Sequence, residues 1–137
     1  MYAPRFSERR CAWVVLALIA CVGGAGSAGC GGTRATLANP DKARAALRTA
    51  LDHWHAGHDY QSLAQGDPAI IFNDHDCKAG SQLLAYKLGG DEIFGNSLRC
   101  PVSLSLRTRE GKTREKKIAY LVDTDPRIVI VREDLGG

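Results

Sequence analysis

Between Leu98 and Arg107 the chain alternates without a break, and this stretch constrains the fold more than any other. Leu98, Cys100, Val102, Leu104 and Leu106 are apolar; Arg99, Pro101, Ser103, Ser105 and Arg107 stand between them. Successive side chains of a strand point to opposite faces, so this pattern predicts a long strand with one buried face. Ile118, Tyr120 and Val122 repeat the spacing on a following strand. A two-residue Glu110-Gly111 turn would set Leu104 opposite Lys117 and Cys100 opposite Leu121, mixing the faces. A three-residue loop, Arg109-Glu110-Gly111 with Gly111 left-handed, sets Val102 opposite Ile118, Cys100 opposite Tyr120 and Leu98 opposite Val122. It keeps every apolar partner on one face, so the sequence predicts this register.

A helix is expected ahead of the hairpin. Asn39 suits the N-cap, Pro40 the first helical position and Asp41 the first turn. Ala43, Ala46, Leu47, Ala50, Leu51 and Trp54 recur every three or four residues, giving one apolar stripe. Gly57 supplies the stop. Residues 58–65 can add one helical turn before Gly66-Asp67-Pro68 breaks it. Short strands are expected at Ala69–Phe72, Gln82–Leu88 and, beyond the Asp125-Pro126 turn, Ile128–Val131, with residues 73–80 as a polar connection. The predicted class is α+β: one amphipathic helix packed on an antiparallel sheet of four or five strands. That order of elements suits a cystatin-like or reduced NTF2-like roll, and element order alone carries no function.

Residues 1–30 read differently. A charged stretch (Met1–Arg10) precedes twelve uninterrupted apolar residues, Cys11–Val22. Crossing a bilayer takes about twenty, so the run has the length of a secretion-signal core. Small residues follow, Gly23 to Gly29. Two cysteines can receive a lipid: Cys21 ends Leu18-Ile19-Ala20-Cys21, an aliphatic-then-small approach against the apolar run. Cys30 ends Ser27-Ala28-Gly29-Cys30 and leads into Gly31-Gly32. They are alternatives, since only one can become the new N-terminus, and cleavage after Ala28 without lipid is the third outcome. Residues 31–38 read as a linker and 39–134 as a single domain. The expected location is therefore outside the cytoplasm, tethered to a membrane through the lipid or, without it, secreted.

The formal net charge is +3, but Arg5, Arg9 and Arg10 against Glu8 supply +2 of it. The near-neutral body gives no general attraction to nucleic acid. Six cations (Arg107, Arg109, Lys112, Arg114, Lys116, Lys117) make the hairpin tip basic, with Glu110 and Glu115 among them. Charges guarding a solvated hairpin are the ordinary account, and anionic lipid or polysaccharide is the functional alternative. The tip lacks the aromatic interleaving of a single-strand nucleic-acid surface. His53, His55 and His58 lie near Asp52 and Asp59, and Asp74-His75-Asp76-Cys77 forms a second polar knot. No metal site is assigned, because Gly57 interrupts the helix between His55 and His58, and His53 and His55 point apart. No cofactor is expected. Nucleophile-elbow, zinc-protease, Walker and dinucleotide-loop motifs are all missing. No catalytic residue is assigned, and the aliphatic inward parity points to a filled core. Cys77 and Cys100 are the two body cysteines. In an oxidising compartment they are a candidate disulfide, the competing reading being two buried thiols.

Five stretches together resemble a group of small bacterial lipoproteins of uncharacterised activity: GCGG at Cys30, ALRTALDHWHAG, NDHDCKAGSQLLAYKLGG, FGNSLRCPVSLSL and REKKIAYLVDTDPRIVIVRED. The resemblance covers roughly residues 40–134 and implies export and an α+β domain, with no known activity. The chain departs from the pattern at Cys77 and Cys100, where bulky apolar residues are expected. Should those departures face each other, the disulfide is favoured. The functional expectation is a non-enzymatic binding or envelope structural domain. Its rival is a small NTF2-like enzyme or ligand binder with a pocket between helix and sheet.

Overall fold

The computed structural model describes residues 36–135, and the segment carrying Cys21 and Cys30 lies outside them. The first element is α1 (Pro40–His55). Asn39 caps it by accepting the Lys42 amide at 2.9 Å, and the six apolar residues of its stripe are all buried. After a 3₁₀ turn (Tyr60–Gln65) come β1 (Ile70–Asn73), the one-turn α2 (His75–Lys78), β2 (Gln82–Leu88) and β3 (Glu92–Phe94). The chain then builds β4 (Ser97–Arg107), β5 (Thr113–Asp123) and β6 (Ile128–Glu133).

The α+β class stands, with six strands in one sheet. Strand order is β1-β6-β5-β4-β2, and β3 pairs with the far end of β4. The long hairpin has the register argued from its parity: Val102 opposes Ile118, Cys100 opposes Tyr120 and Leu98 opposes Val122. Gly111 closes it with φ +85°, a left-handed conformation that glycine enters without a Cβ penalty.

The expectation of an antiparallel sheet needs correction. β1 runs parallel to β6, with Ile70 opposite Ile128 and Asn73 opposite Val131, so the sheet is mixed. The β4-β5-β6 meander leaves β6 pointing the same way as β4. β1 joins that edge in the same direction, and the chain then crosses through α2 to the opposite edge, where β2 runs antiparallel to β4. Hairpin patterns describe neighbours in sequence and carry no information on a pair of strands so far apart in the chain. β3 also went unforeseen: it is three residues long and exposed throughout.

The core is one apolar cluster. It joins Leu47, Leu51 and Trp54 of α1 with Ile70 and Phe72 of β1, Leu83 of β2, and the inward residues of β4, β5 and β6. Trp54, Phe72 and Tyr120 make successive tilted ring contacts, with centroids 6.2 and 5.8 Å apart, a spacing aromatic pairs favour. The Trp54 indole donates to the Ser81 carbonyl at 2.8 Å. At β2 the pairing slips between Leu83 and Ala85, and His55 meets the carbonyl of the skipped Leu84 at 3.0 Å. A carbonyl only accepts, so the His55 Nε2 carries the proton.

Candidate functional site

Two candidate sites stand out among the described residues. The first lies under α2. Asp74 is 1 % exposed, and three donors meet its carboxylate. The Cys77 amide reaches Oδ1 at 2.8 Å, capping α2. The Tyr120 hydroxyl and the Arg132 Nη1 reach Oδ2 at 2.8 and 3.3 Å. Arg132 also contacts Asp76 and donates from Nε to Asp134 at 2.8 Å, while Lys116 donates to Asp76 at 2.8 Å. Two cations thus bind three carboxylates contributed by the α2 and β6 segments.

The protonation of this cluster follows from its contacts. Burial pushes the Asp76 carboxyl up, but the hydrogen bonds and charges of Lys116 and Arg132 outweigh it and hold the group below its ordinary value. Burial, reinforced by the Asp74 charge and hydrogen bond, drives the Tyr120 phenol far upward. No buried side-chain nitrogen or oxygen among the described residues lacks a partner. With its buried donors and acceptors engaged, the arrangement suits a structural clasp that fixes α2 to the sheet. Asp74 and Asp76 belong to the polar knot visible in the sequence. Arg132 was missed, although its parity with Ile128 and Ile130 shows that it points inward.

The second place is a cleft of about 460 Å³ between α1 and the 3₁₀ turn, reaching β1 and β6. Ala45, Ala46, Leu63, Ile70 and Ile128 give it an apolar lining. Lys42 stands at one end, its Nζ held by the Thr124 carbonyl at 3.3 Å. A second hollow of about 590 Å³ continues past Lys42 towards Arg127. At the other end His53 Nε2 lies 2.8 Å from the Ser62 hydroxyl and 3.0 Å from the Asp59 carbonyl. That carbonyl can only accept, so Nε2 carries a proton. Ser62 already gives its own proton to the same carbonyl at 2.6 Å. His53 is therefore a donor in this arrangement and does not activate Ser62 as a nucleophile.

The other residues singled out in the sequence are dispersed. His58 stacks on His53 with centroids 4.9 Å apart, His55 faces β2, and His75 lies on α2 beside Asp76 and Asp134. No group of three metal-ligating side chains converges among the described residues.

Cys77 and Cys100, the candidate disulfide pair, are both buried free thiols in this structure. Cys77 lies on α2 and Cys100 on β4. Their surroundings differ accordingly. Burial, with Asp74 and Asp59, pushes the Cys77 thiol up to about 12. Burial, with Asp91, does the same to Cys100, also to about 12. Both hold their protons at neutral pH, which makes them poor nucleophiles.

Among the described residues no helix is long and apolar enough to cross a membrane. Compared with known proteins, the chain matches no protein-family model, no curated protein and no solved structure.

Proposed function

We propose that the protein is exported, tethered to a membrane by a lipid on Cys21 or Cys30, and acts by binding through the cleft beside α1. The cleft carries this reading. It combines an apolar lining with a few polar groups, the Lys42 cation, the Asp67 carboxylate and the His53–Ser62 pair, the usual make-up of a small-ligand site. Its volume lies within the range of such sites, roughly 300–1,000 Å³. Binding is favoured over catalysis because the Ser62–His53 pair has its protons committed to the Asp59 carbonyl. The finer likeness, to a cystatin-like or reduced NTF2-like roll, rests on a leading helix followed by a meander of long strands. The tether rests on the n-region, the apolar run and the small residues ahead of each cysteine.

Two measurements test the proposal. Titration of the full chain with anilinonaphthalene sulfonate, an amphipathic anion, should give saturable fluorescence. Thr49→Phe, which fills the cleft from α1, should weaken that binding at least about tenfold without lowering the melting temperature. Unchanged binding by the variant would remove the cleft from consideration. Mass spectrometry of the mature N-terminus from membrane and soluble fractions addresses the tether: acylated Cys21 or Cys30 is expected. A soluble, unacylated chain starting at Gly29 overturns it.

A further inference from the structure

Charge is distributed very unevenly over the domain. Residues 107–117 hold six Lys or Arg and two Glu, a net +4. The rest of residues 36–135 hold eight Lys or Arg and twelve Asp or Glu, a net −4. The domain is neutral in sum and strongly polar in arrangement.

Pairing leaves most of the basic end uncompensated. Lys116 bonds to Asp76 and Lys112 lies 3.7 Å from Glu110. Arg107, Arg109, Arg114 and Lys117 have no ion-pair partner among the described residues, and all four are exposed. Edge protection does not explain two of them: β2 pairs with β4 as far as Arg107, so Arg107 and Arg109 guard no open edge. Arg109 is also held in place, its guanidinium lying against Gly80 so closely that an added Cβ there would come within 2.6 Å. Like charges gathered in this way repel unless a partner of opposite sign covers them.

The basic end lies far from the first described residues. The chain enters the domain through Ala38, whose amide bonds to Asn96 at 2.8 Å, and Asn39, whose amide bonds to Thr124 at 2.9 Å. Both partners flank the ends of β4 and β5 remote from the hairpin tip. β5 has eleven residues, so the tip stands about 35 Å from that entrance at the usual rise of a strand.

We propose that the β4–β5 tip is a docking surface for an anionic polysaccharide. The docking chemistry does not rest on the lipid-tether reading. A polysaccharide fits better than a bilayer for two reasons. Residues 107–117 include no apolar side chain to insert among acyl chains. A continuous anionic bilayer would also confront Glu110 and Glu115, while the spaced charges of a polymer can follow the cations. Three of the four unpaired cations are arginines, whose planar fork takes a carboxylate through two hydrogen bonds.

The test uses the full chain in detergent micelles with polygalacturonate as the probe. Binding is expected at about 50 mM NaCl, low enough to limit screening, and should weaken steeply as salt rises. The triple variant Arg107→Gln/Arg109→Gln/Arg114→Gln should bind about tenfold more weakly or worse. The matching triple Arg→Lys variant, which keeps the charge and loses the two-point contacts, should bind between the parent and the Gln variant, and both variants should melt like the parent. No binding at low salt, equal binding by the Gln variant, or preference for phosphatidylglycerol vesicles over the polymer overturns the docking surface. An unacylated N-terminus that leaves polymer binding intact overturns the tether alone.

Discussion

Replacing Arg132 by methionine is the sharpest perturbation of the fold. The Arg132 side chain is 4 % exposed and that of Asp74 is fully buried. Methionine keeps much of the buried stem and removes the charge. Asp74 would retain the Cys77 amide and the Tyr120 hydroxyl, two neutral donors, but lose its cation. Removing one partner of a buried ion pair costs about 3–5 kcal/mol. Lys116 still compensates Asp76, so the lower end, about 3 kcal/mol, is expected. In a domain of this size that lowers the melting temperature by about 15 °C. Urea unfolding followed by tryptophan fluorescence measures it directly. Adding Asp74→Asn keeps an oxygen for the α2 cap and removes the stranded charge. The double variant should therefore be more stable than Arg132→Met alone by about 1–2 kcal/mol. Strict additivity of the two substitutions, or a loss below about 1 kcal/mol for Arg132→Met, would refute the reasoning.

The same cluster fixes an acid limb. Asp76 titrates in the folded state below its unfolded value of 3.8, so its contribution is complete above that value and disappears as pH falls through the folded one. Stability measured downward from pH 5 (about one unit above the unfolded carboxylate) should fall less steeply in Arg132→Met, which has lost one of the two cations on Asp76. Tyr120→Phe leaves one Asp74 oxygen without its hydroxyl donor and should cost about 1–3 kcal/mol in urea unfolding. Cys77 and Cys100 should both resist a thiol reagent in the native protein and both react in denaturant, without reductant. A denatured chain showing neither thiol would refute the free-thiol state. Gly111→Ala forces a side chain onto φ +85° and should cost about 1 kcal/mol, read as a lower urea midpoint.

What could be read from the sequence was local. The α1 stripe and the Asn39 cap lie within one segment, as do the hairpin parity and the glycine that sets its register. In each case the residues that interact are near neighbours or are related by one turn. The β1–β6 pairing joins residues 58 apart in the numbering, Ile70 and Ile128, and nothing in either four-residue pattern names the other. The clasp was half visible for a similar reason. Asp74 and Asp76 announce a polar knot, but Tyr120, Lys116 and Arg132 come from β5 and β6, and only the folded sheet brings them beneath α2. Trp54 read as core and is core, yet its bond to Ser81 depends on where β2 begins. The cleft depends on the 3₁₀ turn being held off α1 by His53 and Ser62, an arrangement that no periodicity encodes.

The parallel pairing of β1 with β6 also bears on timing. Contacts between distant segments form late, because the intervening chain must first be confined. The sheet edge at β1 cannot be completed until β6 exists, and the clasp needs Arg132, which lies near the end of β6. A partly synthesised chain therefore has its helix and the makings of a hairpin but lacks the partner that would close the edge. Were the chain exported as proposed, the domain would close only once β6 had followed the rest across.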